Sequence, residues 1–205
     1  MTRKLAILLA LSWTAHFSAA SSCPDLKSLR SASVLSDSFD PSRITGLYFE
    51  QEYIDPAQVG ATCQTLNSTY NATSGVLTMP FSVKYFGKLP FTIVEVYTPH
   101  GNSTIAGLYD KVALPPIGDK DAAEAALMLP TVVVDVSGGE SGGPYATVTL
   151  YSCLQVGRQV VTELIFASLE ETLSASELEA LEETAKASGV QWDETKLNSV
   201  NQTSC

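Results

Sequence analysis

Between residues 44 and 168, short apolar runs alternate with turn-forming residues, as in a chain of strands. Val76 to Phe86 (VLTMPFSVKYF) places Leu77, Met79, Phe81, Val83 and Tyr85 on one parity, the period-2 mark of a strand with one buried face. Pro80 falls on the opposite parity and predicts an edge or a bulge, because proline has no N–H for a ladder. Ile44 to Asp55, Val59 to Tyr70, Phe91 to Tyr97, Thr104 to Val112, Thr131 to Val136, Tyr145 to Ser152 and Arg158 to Leu169 read as further strands. A Gly/Ser-rich spacer at 137–144 joins two of them as an enlarged hairpin loop. Asp119 to Met128 fits either a short helix capped by Asp119 or Asp121 or a strand of poor propensity. Seven or eight strands with few helices between them predict an all-β antiparallel barrel or sandwich.

One helix stands out, over about 175–188. Ser174 and Glu177 form a capping box, and Leu173 and Leu178 a hydrophobic staple. Leu178, Leu181 and Ala185 make a narrow apolar stripe, Glu179, Glu182 and Glu183 face away, and Gly189 ends the helix. Such a helix lies on the outside of a barrel with one face down. A partner-binding helix is the rival reading.

The first twenty residues form a different pattern. Arg3 and Lys4 precede the apolar run Leu5 to Leu11, and Ser18, Ala19 and Ala20 follow, which together read as a secretory signal peptide. The run is too short to span a bilayer, which needs about 20 residues. Residues 21–43 then make an N-terminal arm and 44–205 the main domain. The chain carries 12 Lys+Arg and 22 Asp+Glu, a net charge of −10. Loss of the signal would leave it at −12, which argues against nucleic acid or an anionic membrane surface as the main partner. A hydrophobic share of 45% excludes global disorder.

Two features fit the secretory route. Four N-x-Ser/Thr sequons, at Asn67, Asn71, Asn102 and Asn201, are candidate glycosylation sites. Four cysteines, Cys23, Cys63, Cys153 and Cys205, are expected to pair in an oxidising compartment, with three connectivities open. Free or metal-binding thiols are the rival, disfavoured because no C-x-x-C pair exists. Beyond the signal only His100 and Trp192 remain of their kinds, so a His-rich metal site is excluded and a Ser/His/acid triad would have to use His100.

The order of these features resembles a secreted lipocalin, nearest in layout to the apolipoprotein D-like branch. The resemblance runs from Cys23-Pro24 through Ile44-Thr45-Gly46-Leu47-Tyr48-Phe49-Glu50, at the place of the family's G-x-W-Y-E strand, and Gly60-Ala61-Thr62-Cys63-Gln64. It continues through Tyr145 to Cys153, the segment Leu164 to Leu173 with the capped helix, and Asn201 to Cys205. Tyr48 replaces the family's tryptophan, Leu169 stands where its arginine is expected, and its T-D-Y turn survives only as Val134-Asp135-Val136. Both members of the family's cation–aromatic pair are thus missing together.

The resemblance implies an eight-stranded antiparallel up-and-down barrel with one C-terminal helix packed outside, and the pairs Cys23–Cys153 and Cys63–Cys205. It implies a carrier, not an enzyme, that binds a small hydrophobic ligand such as a sterol, fatty acid, retinoid or carotenoid-like molecule, without cofactor or metal. The candidate lining is Leu77, Met79, Phe81, Val83, Tyr85, Phe91, Ile93 and Tyr97, although a one-residue slip would turn this parity outward. Two alternatives remain. One is a lipocalin-fold isomerase or de-epoxidase using Glu50, Glu52, Asp55 or Asp135 with a tyrosine as acid and base. The other is a secreted glycoprotein acting through its surface loops, which a side-chain-filled lumen would favour.

Overall fold

A computed structural model of the chain describes residues 22–102, 105–114, 128–139, 141–203 and 205. The signal-peptide reading at 1–20, the ambiguous segment 119–127 and parts of the 137–144 loop lie outside the described residues.

Eight strands close into one antiparallel barrel: β1 (Gly46–Ile54), β2 (Ala61–Asn71), β3 (Val76–Tyr85), β4 (Leu89–Pro99), β5 (Leu108–Leu114), β6 (Met128–Ser137), β7 (Thr147–Val156) and β8 (Gln159–Ser168). Each pairs with its neighbour in sequence, and β1 pairs with both β2 and β8. A two-residue strand, β9 (Asn198–Ser199), adds to the outer side of β1 and was not legible in the sequence. The helix α2 (Ala175–Ala187) has its full capping box, with Ser188 as C-cap.

Pro80 is neither at an edge nor in an irregular strand. It lies in β3, which is paired on both sides, and its β4 partner is Val94. The β2–β3 ladder instead skips Asn67 and Ser68, so the missing N–H faces a local gap in that ladder.

Alternation splits the buried residues into two cores. The inner one joins Tyr48, Leu66, Leu77, Met79, Phe81, Tyr97 and Ile165 across the barrel. The outer one joins Val132, Val134, Tyr151, Leu164 and Phe166 to Leu181 and Ala185 of α2, Val190 beyond it and Leu29 of the arm. The arm then crosses to the barrel's closed end through α1 (Ala32–Leu35), whose Val34 joins the inner core. Gly107 admits this approach: its φ is +79°, and a Cβ there would sit 3.0 Å from the Val34 side chain.

Disulfides join Cys23 to Cys153 and Cys63 to Cys205, across sequence separations of 130 and 142. Loops of that size imply about 4–5 kcal/mol of stabilisation from each bridge on the chain-entropy account. Chemical denaturation of a Cys23→Ala/Cys153→Ala variant should show a loss of this order. A loss below about 1 kcal/mol would mean that the arm is held by α1 and its packing alone.

Candidate functional site

The connections β1–β2, β3–β4, β5–β6 and β7–β8 all lie at one end of the barrel, its mouth. Five exposed apolar side chains sit there: Val59, Phe86, Leu89, Met128 and Val156, with Phe86 81% exposed. Phe91, 41% exposed, stands just below them.

Below the mouth, β3 turns Leu77, Met79, Phe81 and Val83 into the inner core, and β4 adds Tyr97. Tyr85 and Ile93 are half-buried against the same core. Tyr85 meets Phe91 edge-on with ring centroids 6.0 Å apart, and its hydroxyl donates to the Ala57 carbonyl at 2.8 Å. The eight candidate lining residues thus share one parity and run from the mouth into the barrel. The deeper ones are tightly enclosed: Leu77, Met79 and Tyr97 are no more than 1% exposed.

The interior is not uniformly apolar. Lys111 of β5 is buried and bonds the Glu95 carboxylate of β4 at 3.3 Å and that of Glu163 on β8. The Tyr97 hydroxyl donates to Glu95 at 2.6 Å. Burial alone would push the Lys111 ammonium towards its neutral form, but Glu95 and Glu163 outweigh it and raise its pKa. Burial raises the Glu163 carboxyl, and Lys111 offsets part of that rise.

Glu50 of β1 belongs to the same layer and is wholly buried, yet neither carboxylate oxygen accepts a hydrogen bond. Its pKa is pushed well above the carboxylate range, first by burial and then by the charges of Glu95 and Asp55. Lys111 and the nearby Gln58 amide offset only a part. Gln58 reaches in from a 3-10 turn at Pro56–Gln58 in the β1–β2 loop. Its side-chain oxygen accepts from Gln64 Nε2 at 3.3 Å and its carbonyl from the Tyr53 hydroxyl at 3.0 Å.

The other acids considered as catalysts are dispersed. Glu52 lies outside the barrel, where it accepts from Ser199 at 3.2 Å. Asp55 caps the loop turn through the Ala57 N–H. Asp135 accepts from the Ser31 hydroxyl at 2.5 Å and so ties α1 to β6. His100 bonds Asp110 at 2.8 Å on the surface, so no triad forms on it among the described residues. Asn67, Asn71 and Asn201 are exposed, and the Asn102 side chain lies outside the described residues.

The closed end holds a cation–aromatic cluster of its own. The Arg43 guanidinium lies 4.1 Å from the Tyr145 ring centroid, and Phe39 stacks on Tyr145 at 6.2 Å. The Tyr48 hydroxyl donates to the Tyr145 carbonyl at 2.9 Å. A cation–aromatic contact is present, carried by residues other than those at the family's positions.

No protein-family model matches the sequence, and no curated protein matches it as a relative. Solved structures do. Apocrustacyanin A1 of lobster aligns at 14% identity over 79% of both chains with a TM-score of 0.59. Insecticyanin of the tobacco hornworm Manduca sexta aligns at 14% identity over 88% of this chain and 86% of its own, with a TM-score of 0.63. The bovine lipocalin allergen Bos d 2 aligns at 15% identity over 78% of this chain and 94% of its own, with a TM-score of 0.52. The fold is therefore the lipocalin fold: a closed eight-stranded up-and-down barrel with an outer C-terminal helix.

The buried layer gives two expected outcomes. Lys111→Met leaves Glu95 and Glu163 without their cation and should lower stability by about 3–5 kcal/mol in urea denaturation. Glu50 binds its proton more tightly folded than unfolded, so it costs stability as pH rises above the ordinary carboxylate range. Glu50→Gln removes that dependence and should be about 1–3 kcal/mol more stable than wild type at pH 7. The difference should shrink towards pH 4; an advantage that does not change with pH would refute the assignment.

Proposed function

We propose that this protein is a secreted carrier that holds a small hydrophobic ligand at the mouth and upper wall of its barrel, and that it is not an enzyme. The supporting observation is the continuous apolar path from the exposed rim, through Phe91, Ile93 and Tyr85, to Val83, Phe81 and Met79 inside. A ligand burying about 300 Å² of apolar surface there would gain roughly 7 kcal/mol before the costs of association. Met79 is the unbranched, adaptable member of the wall. A sterol, fatty acid, retinoid or carotenoid-like molecule suits such a path. Two long-range disulfides fit an oxidising, extracellular setting, and their layout is the ground for placing the chain near the apolipoprotein D-like branch. Among the described residues no helix is long and apolar enough to cross a membrane. Glycans at Asn67, Asn71 and Asn201 fit their exposure.

A second reading rests on the enclosure of the deep interior. The protein would then act through its outer surface, where a cavity of about 470 Å³ lies between β7–β8 and the segment after α2, lined by Ile54, Tyr151, Leu164 and Trp192. Fluorescence titration with cis-parinaric acid separates the two. Carriage in the barrel predicts one site of micromolar affinity that weakens at least tenfold in Ile93→Lys and is unchanged in Trp192→Phe. The opposite pattern would move the ligand to the outer cavity. No binding at all would refute the carrier.

A further inference from the structure

The inner polar layer is short of positive charge. Among the described residues it sets two buried carboxylates, Glu50 and Glu95, and the partly buried Glu163 against one ammonium, Lys111, whose contacts go to Glu95 and Glu163. Glu50 is left over. Neither of its carboxylate oxygens accepts a hydrogen bond of normal geometry, the Gln58 amide alone lying against them, and the side-chain oxygen of Gln64 accepts none either. These two residues adjoin: one Gln202 amide donates to the backbone carbonyls of both, at 3.0 and 2.9 Å. Both side chains meet the Gln58 side chain, so three acceptor oxygens without a well-formed bond lie around it.

Buried acceptors without donors are rare in folded proteins, and each needs a reason. Three of them match the three N–H donors of an ammonium group. A hydroxyl would satisfy only one. A hard metal cation needs six or more oxygens, twice what is offered. The space above is filled by Gln58, whose turn is tied down by side-chain hydrogen bonds from Tyr53, Gln64 and Tyr85 rather than by a strand ladder. This plug sits beneath the exposed apolar rim.

We propose that the barrel takes a small apolar organic amine, its protonated nitrogen seated on the Glu50 carboxylate and the Gln64 side-chain oxygen after the Gln58 side chain swings out. The inference rests on the carrier reading and names the polar end of its ligand. The amine's apolar part lies on the β3–β4 wall. Its charge balances the Glu50 carboxylate, the one that Lys111 does not contact. The groups that face Glu50 are Glu95 and Tyr97 from β4, Lys111 from β5, Gln58 from the β1–β2 loop, and Tyr53 and Asp55 from the end of β1 and that loop, with Glu163 of β8 reached through Lys111.

Tryptamine and its uncharged isostere tryptophol test this by isothermal titration calorimetry on the disulfide-bonded protein at pH 7.5. Tryptamine should bind at least tenfold more tightly. Glu50→Gln should bring the two compounds within threefold of each other, and Gln58→Ala should tighten tryptamine binding. Equal affinities in the wild type, or a preference that survives Glu50→Gln, would overturn the amine site. If cis-parinaric acid binds but the amine preference is missing, only this inference fails. If none of the three compounds binds, the carrier reading fails with it.

Discussion

The barrel depends on how β1 divides itself between two neighbours. Its first half pairs with β2, Gly46 opposite Ser68 to Phe49 opposite Thr65. Its second half pairs with β8, and a bulge between Glu50 and Glu52 makes the change of register. β2 has an irregularity at the same level, between Thr62 and Thr65, where Cys63 holds a left-handed φ of 60°. Above this point β1 and β2 separate, and their carbonyls would be orphaned. The C-terminal tail fills the seam. Gln202 donates one side-chain amide to the carbonyls of both Glu50 and Gln64, and the Cys63 N–H donates to Asn201 at 3.1 Å. The Cys63–Cys205 bridge fixes the tail in place. A closed barrel is what removes the exposed edges that two parting strands would otherwise present.

Closure at that seam also sets what the interior can contain. Charged groups held inside a wall need partners with good geometry, because desolvation outweighs a poor ion pair. Lys111 meets the condition with Glu95 and Glu163 because β4, β5 and β8 bring their side chains to one level across the barrel. Glu50 does not meet it, although it projects from the very bulge that the tail secures. The closed end is built differently. There Arg43, Tyr145, Phe39 and Tyr48 form a cluster in which every polar tip reaches a backbone carbonyl, a backbone N–H or a ring face. One end is satisfied and capped by α1; the other carries unpaired acceptors under a loop.

Much of the fold was legible because its signals are local. The period-2 run of β3 was readable from five residues of one parity, and α2 from its capping box, both of which are decided within a few positions. The barrel as opposed to a sandwich was not decided by alternation; it came with the resemblance, through the order of strands, cysteines and helix. The polar layer was hidden for a physical reason. In FEQEYID the bulge sends Gln51 and Glu52 both outward, so no strict alternation reveals that Glu50 points in. Nothing local marks Lys111 or Glu163 in the sequence, and their pairing is a fact of closure across more than fifty residues. Pro80 misled in the same way: a missing N–H forbids one ladder bond, and the strand tolerated the gap within a paired wall.

The stability account and the ligand account meet at Glu50. A core acid without partners opposes folding, and an apolar or amide side chain of similar size would be at least as stable there. The barrel therefore does not need Glu50 in order to close; closure at that level is already carried by Gln202 and the Cys63–Cys205 bridge, neither of which uses the Glu50 side chain. A group that burdens the empty protein and is relieved by an incoming donor converts that burden into affinity, since the ligand gains what the fold had lost. Gln58 makes the exchange inexpensive in hydrogen bonds. It gives up one amide pair with Gln64 at 3.3 Å and its approach to Glu50, and once swung outward the same amide finds water at the mouth. Specificity in such a site comes from the polar layer, and the apolar wall of β3 and β4 supplies affinity without choosing among ligands of similar size.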